Sequence, residues 1–299
     1  MTAATERKCW CGHEALEPYS DDYRVCRACG TLVSWAPFSP KLYEQGYWLE
    51  RQTEHHGLPD IRARARLDLP ERCTHWLRRL LMLRLPPGRV LEVGCAHGGY
   101  VALLNWAGFT AVGTEMSPWV AQFAKDTFGV QVLSGLVEDQ PFEPGSMDVV
   151  VLNDVIEHLP DPPATLARCA SLLAPGGFFV IQTPEYKEHL SYADLQAAGD
   201  LFLKHMDGNN DEHLFLFSRR SAAALFSRVG FPVLDFSNPV YTYDMSFVAS
   251  RAPLPVQDPA AAAAALERQP TGRLVQALLD KAYESTDRWW ALRRLEGKA

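Results

Sequence analysis

A chain of 299 residues is long enough for one large α/β domain with smaller attachments. Its 47% hydrophobic and 22% charged residues are those of an ordinary globular protein, and a net charge of −7 argues against a general polyanion-binding surface. No apolar run approaches a membrane span and the opening MTAATERKCWCGH has no signal-peptide core, so the expected compartment is the cytosol and no membrane partner is expected.

In chain order, residues 1–36 come first as a cysteine module. Cys9-x-Cys11 and Cys26-x-x-Cys29 are two close pairs flanking a short loop. In a cytosolic chain this pattern predicts a tetrahedral thiolate zinc site rather than disulfides. The one-residue gap in the first pair leaves His13 open as a substitute for Cys9. Four protein ligands leave no position for chemistry, so the zinc is expected to be structural. Residues 37–84 read as a helical lead-in, aromatic at Tyr43, Tyr47, Trp48 and Trp76 and interrupted at Pro59 and Pro70. Its arginines (Arg62, Arg64, Arg66, Arg72, Arg78, Arg79 and Arg84) read as solvated helix faces.

The main domain is expected over 85–250. Its pattern alternates: strand 89–93, helix 99–107, strand 110–114, helix 117–128, strand 130–133, strand 147–152, helix 162–173 and strand 177–183. The apolar runs at 148–152 and 178–181 suit strands buried on both faces, as in a parallel sheet. Residues 185–217 read as an irregular, polar, lid-like insertion. A helix over 218–229 follows, capped by Ser218 with Gly230 past its end, and then two β runs at 231–236 and 243–249. Residues 251–299 form a Pro-rich linker and a helical tail ending near Trp289 and Trp290, read as a packing or homodimerisation arm.

The chemistry starts at Leu91-Glu92-Val93-Gly94-Cys95-Ala96-His97-Gly98-Gly99, a strand, a tight glycine turn and a helix start. That is the nucleotide-binding corner of a doubly wound α/β sheet, although the spacing is not G-x-G-x-x-G. Glu115 ends the next strand, where a carboxylate accepts hydrogen bonds from ribose hydroxyls, and Met116 beside it can pack on an adenine face. Ser134-Gly135-Leu136-Val137-Glu138 follows the third strand, Asn153-Asp154-Val155-Ile156-Glu157-His158 the fourth, and Pro175-Gly176-Gly177 announces the fifth.

With these motifs in this order, residues 75–250 resemble the class I S-adenosylmethionine-dependent methyltransferases. The resemblance implies a Rossmann-like, seven-stranded α/β sheet. It also implies that Glu92, Gly94, Cys95 and Gly98 hold the methionine portion of the cofactor and Glu115 the ribose. Leu136 and Val137 would flank the adenine, with Asn153 and Asp154 on the sulfonium side. His158 reads as a structural helix-start residue. The run Asp211-Glu212-His213-Leu214-Phe215-Leu216-Phe217-Ser218 is similar to the H-E-H-x-x-Y-F-S segment of antibiotic-pathway sugar C-methyltransferases, which also carry a four-cysteine module. It departs from them at Asp211 and Leu216. The resemblance makes His213 the base, and Glu212 and Asp154 are the other candidate catalytic residues. The implied acceptor is a small molecule, methylated on oxygen or carbon; the alternative is a zinc-guided RNA or protein methyltransferase. A divalent cation on His205, Asp207, Asp211 and His213 is a further option. Tyr47, Tyr186, Tyr241 and Tyr243 are phenols that could face the substrate.

Overall fold

The computed structural model describes residues 7–35, 59–206 and 212–282. Asp207, Asp211, Tyr43, Tyr47, Trp48, Trp289 and Trp290 lie outside them.

A seven-stranded sheet organises the chain. Its strands are β4 (Arg89–Val93), β5 (Thr110–Glu115), β6 (Val132–Ser134), β7 (Met147–Asn153), β8 (Leu173–Pro184), β10 (Val233–Ser237) and β11 (Asp244–Ser250), in the order β10-β11-β8-β7-β4-β5-β6. β4 to β8 are parallel; β11 runs antiparallel between β8 and β10. The helices α3 (Gly99–Trp106), α4 (Pro118–Phe128) and α5 (Pro162–Leu172) supply the crossovers that parallel strands require. Ser117 and Asp161 cap α4 and α5, each followed by Pro at the first turn.

Because side chains alternate across a strand, the buried runs split into two cores. Leu91, Val93, Val150, Leu152, Phe179, Ile181 and Phe247 face α5 and α7 (Arg219–Arg228). Val90, Val149, Val151, Phe178, Val180 and Val248 face α3, α4 and α2 (Thr74–Leu81). Phe179 meets Phe226 and Phe231 edge-on at 5.5 and 4.8 Å, pinning α7 to the sheet; each such pair adds about 0.5–1.5 kcal/mol beyond its buried area. In the tail, α8 (Pro259–Glu267) and the helical residues 272–282 pack on the second core through Leu266, Val275 and Leu279.

Before the sheet, α1 (Ile61–Leu67) and α2 flank a π-helical turn, Leu69–Cys73, that contains Pro70. The arginines here are mostly paired rather than solvated. Arg64 meets Asp68, Arg72 meets Asp154, Arg79 meets Asp235, Arg84 meets Asp148 and Arg78 donates to Leu279 O (2.6 Å), leaving Arg62 and Arg66 exposed.

The cysteine module folds as a second sheet, β1 (Glu17–Pro18), β2 (Tyr23–Cys26) and β3 (Thr31–Ser34). Its fourth strand comes from far along the chain: β9 (Phe215–Phe217) pairs antiparallel with β3, with Leu32 opposite Leu216. The sheet of the cysteine module therefore takes a strand from outside residues 1–36. The described residues of 185–217 also hold more regular structure than their polarity suggests. It contains α6 (Tyr192–Ala198), a 3₁₀ turn at Leu201–His205, and β9, whose three residues are all buried. α6 starts with a capping box, in which Ser191 Oγ accepts from Asp194 N–H and the Asp194 carboxylate accepts from Ser191 N–H.

Candidate active site

A cavity of about 1300 Å³ opens at the carboxyl ends of β4, β5 and β7, where the strand order reverses. Small-molecule pockets are commonly about 300–1,000 Å³, so there is room here for a cofactor and an acceptor together.

One end is built by the glycine turn and the β5 terminus. Gly94 and Gly98 have φ of +67° and +77°. A Cβ at Gly94 would lie 2.8 Å from Val155 Cγ2, and one at Gly98 would lie 2.7 Å from Ala124 Cβ, so the turn is closed to larger residues. Glu115 accepts hydrogen bonds from Ala96 N–H (3.1 Å) and Ser117 N–H (2.9 Å). Burial pushes its pKa up to about 7, against the pull of these donors. Glu92 is pushed well above the carboxylate range by burial and by Glu115. Its Oε2 and both amide atoms of Asn153 are buried without a hydrogen-bond partner. Such atoms are costly unless a ligand or water satisfies them. Met116 and Leu136, 38% and 48% exposed, present apolar surface to the same cavity, over buried Val137. These carboxylates, amide groups and apolar faces fit an adenosyl sulfonium and could hold its ribose, amino acid and purine. Cys95 lines the cavity, and its thiol packs against Gly113 in the core shared with α2, α3 and α4.

At the other end, two sequence motifs are clasped together. Leu214 N–H donates to Glu157 O (2.8 Å), and His158 Nδ1 donates to Glu212 O (2.9 Å). His213 is buried, lines the cavity and lies 4.8 Å from the His158 ring. Its Nδ1 is 3.0 Å from His205 O. A carbonyl only accepts, so Nδ1 carries the proton and Nε2 of the neutral ring keeps its lone pair. Glu212 is buried beside it and lines the same cavity. Asp154, with φ +55°, is engaged by the Arg72 guanidinium and by Gln182 Nε2 (3.2 Å). Burial would raise its pKa, but Arg72 and Gln182 hold it below the usual range, as an ionised carboxylate. Asp154 thus lines the cavity as an ionised carboxylate engaged with Arg72.

Three lining residues had no role in the sequence reading. Arg72 looked like one of a solvated run, yet it lies over Trp76 (5.1 Å) and Tyr241 (5.8 Å). Glu157 accepts from Thr183 Oγ1 (2.9 Å), and burial holds it well above the ordinary carboxylate value. Asp244 opens β11, and burial pushes it up to about 8. Nothing local in the sequence marks Asp244; only the strand pairing that sets it opposite Pro184 brings it to the cavity. Tyr241 and Tyr243 line the cavity as a stacked pair, 5.3 Å apart, whereas Tyr186 is buried with Tyr19 away from it.

Outside the cavity, the Sγ atoms of Cys9, Cys11, Cys26 and Cys29 lie within 4.8 Å of one another. Cys9 and Cys29 are 3.5 Å apart, and Cys11 and Cys26 are 3.6 Å apart. These separations are too long for disulfides and close to the roughly 3.8 Å edge of a tetrahedron with 2.3 Å zinc–sulfur bonds. His13 is exposed and outside this cluster. Within the cavity, Glu157, His158 and His213 also offer atoms within 4.8 Å of one another.

Among known proteins, a family profile described as a methyltransferase domain matches residues 65–235. The ubiquinone biosynthesis O-methyltransferase of Xanthomonas campestris pv. campestris (strain B100) is 33% identical over 108 residues, covering 33% of this chain and 44% of that protein. The protein of the same description from Thiobacillus denitrificans is 33% identical over 101 residues, with 32% and 44% covered. The chain thus spans less than half the length of these relatives. A solved complex of the Haloferax volcanii Trm112 methyltransferase activator with a methyltransferase contains a chain that superposes with a TM-score of 0.51. It is 18% identical, and 64% of this chain and 93% of that one are covered. With more than half its length matched by the family profile and the expected seven-stranded sheet beneath the cavity, this chain belongs to the methyltransferase-domain family, in its class I S-adenosylmethionine-dependent form.

Proposed function

We propose that the chain transfers a methyl group from S-adenosylmethionine to an oxygen or carbon of a small molecule, a sugar or specialised metabolite, with His213 as the base. The observation that carries this reading is the fixed tautomer of His213: Nδ1–H is tied to a main-chain carbonyl, and Nε2 is the basic atom of a ring that lines the cavity. The relatives described as O-methyltransferases favour oxygen as the acceptor atom.

The cofactor, when bound, supplies an activated methyl with a good leaving group already attached. The chain then has to orient the acceptor behind that methyl and take up its proton. Glu115 would accept from the ribose hydroxyls, Asn153 and Glu92 would meet the amino-acid portion, and Met116, Leu136 and Val137 would flank the purine. The main chain at Gly94, Cys95 and Gly98 would approach the cofactor without obstruction. His213 Nε2 would accept the acceptor's proton. Glu212 sits next to it in the clasp, and Asp154 holds Arg72 over the acceptor end. The four cysteines would hold a structural zinc, since all four positions of the metal are then filled by protein.

Guidance to RNA or protein by the zinc module is the weaker reading, because Arg64, Arg72, Arg79 and Arg84 are spent on internal carboxylates. No described helix is long and apolar enough to cross a membrane. Incubation with methyl-labelled cofactor and separate panels of phenols, nucleotide sugars, RNA and protein tests the proposal. Label in a small-molecule fraction is expected. Label confined to RNA or protein would exclude a small-molecule acceptor.

A further inference from the structure

One side chain of the cysteine module reaches the segment that carries His213. Tyr23, on β2 three residues before Cys26, is 1% exposed, and its hydroxyl lies 2.9 Å from His213 O and 3.2 Å from His205 O. Those two main-chain groups are not arbitrary. His205 O is the acceptor that takes the His213 Nδ1 proton, and His213 O belongs to the residue whose ring is being oriented. The phenol thus sits between the histidine's own backbone and the carbonyl that fixes its tautomer. The surrounding register is held independently, because β3 pairs with β9 from Val33 opposite Phe215 to Thr31 opposite Phe217, and Ser34 N–H donates to Leu214 O (3.0 Å).

We infer that Tyr23 is a positioning residue for His213: its hydroxyl, delivered by the cysteine module, fixes the main chain at 205 and 213 so that His213 keeps the Nδ1–H tautomer and a basic Nε2. The inference rests on the reading of His213 as the base, and it assigns a part in that reading to a residue about 190 positions away in sequence. Physically it is the arrangement by which a second shell orients a histidine through its other ring nitrogen. The phenol has one proton, so it donates to His213 O at the shorter distance and shares that proton with His205 O, and a tyrosine does this at little entropic cost because it has few rotatable bonds.

The test uses the full chain with its metal, and reads the imidazole by nitrogen-15 NMR rather than turnover. Tyr23→Phe keeps the ring and removes the hydroxyl. Val25→Ala is the control, since Val25 is equally buried on the same strand and the same face and carries no polar group. Wild type should show His213 as the Nδ1–H form. In Tyr23→Phe the ratio of that form to the other tautomer should fall about three- to tenfold, the scale of one lost intramolecular hydrogen bond, with zinc content unchanged. Val25→Ala should keep the wild-type tautomer. An unaltered tautomer in Tyr23→Phe overturns the inference, and so does an equal loss in Val25→Ala, which would reduce Tyr23 to ordinary packing. The base reading fails separately, through full turnover in His213→Gln, so the two failures are distinguishable.

Discussion

Glu115→Ala should weaken S-adenosylmethionine binding more than tenfold, and the affinity of the unaltered protein should rise with pH. The carboxylate is 5% exposed and already accepts two main-chain N–H groups. The cofactor ribose would add two hydroxyl donors. A hydrogen bond to a charged group contributes about 1.5–3 kcal/mol, so losing one of them already costs a factor of roughly 10 to 150 in the dissociation constant. Only the ionised form accepts from both hydroxyls, and burial places the pKa at about 7. The ionised fraction is then roughly one tenth at pH 6 and nine tenths at pH 8. Apparent affinity scales with the competent fraction, so the dissociation constant should fall about tenfold over that range and level off above it. Without ligand the sign reverses for stability. A folded pKa above the unfolded carboxylate value means that this group's contribution is greatest in acid and declines as pH rises from about 4.5 to about 7. Calorimetric titration at pH 6, 7 and 8, with Glu115→Gln as the uncharged control, measures the binding side. A dissociation constant flat in pH, or unchanged in Glu115→Ala, would show that the ribose is held elsewhere.

His213→Ala should lower turnover by about 10²–10⁴ and leave cofactor affinity within twofold, read by steady-state kinetics beside calorimetry; equal loss of both would make it a structural residue. Gly98→Ala should destabilise the fold by about 1–3 kcal/mol, because φ is +77° and the new Cβ would lie 2.7 Å from Ala124 Cβ; a thermal melt matching wild type would refute this. Elemental analysis should find about one zinc per chain, and chelation should speed hydrogen exchange in β9 as well as in β2 and β3, since β9 is the fourth strand of that sheet. Exchange that changes in residues 7–35 alone would show that the two segments are energetically separate. Chelation that abolishes turnover while the four cysteines keep their zinc would instead point to a cation at Glu157, His158 and His213.

The central sheet was legible because each of its strands has a local signature. The strands expected at 89–93, 147–152 and 177–183 sit between glycine or proline turns, and the observed ones run 89–93, 147–153 and 173–184. The meeting of Gly94, Glu115 and Asn153 at one end of the cavity was legible for the same reason, since all three stand at strand termini that the sequence marks. The acceptor end was not. Asp244 reaches the cavity only because β11 inserts antiparallel beside β8, and no pattern near Asp244 encodes that. Arg72 was hidden among arginines whose partners lie 4 to about 160 positions away. β9 is three residues long and apolar on both faces, which no periodicity separates from a buried loop. α6 could have been found: Ser191-Tyr192-Ala193-Asp194 is a capping-box sequence, and general polarity obscured it.

The pairing of β3 with β9 also bears on how the molecule is made. A strand ending at Ser34 has to wait for one that ends at Phe217. At about 5–20 residues per second the ribosome takes roughly ten to forty seconds to supply it. During that interval β3 lacks its neighbour and is an open edge, a template on which another chain can pair. The first sheet to be started is thus completed only after five strands of the central sheet have been made.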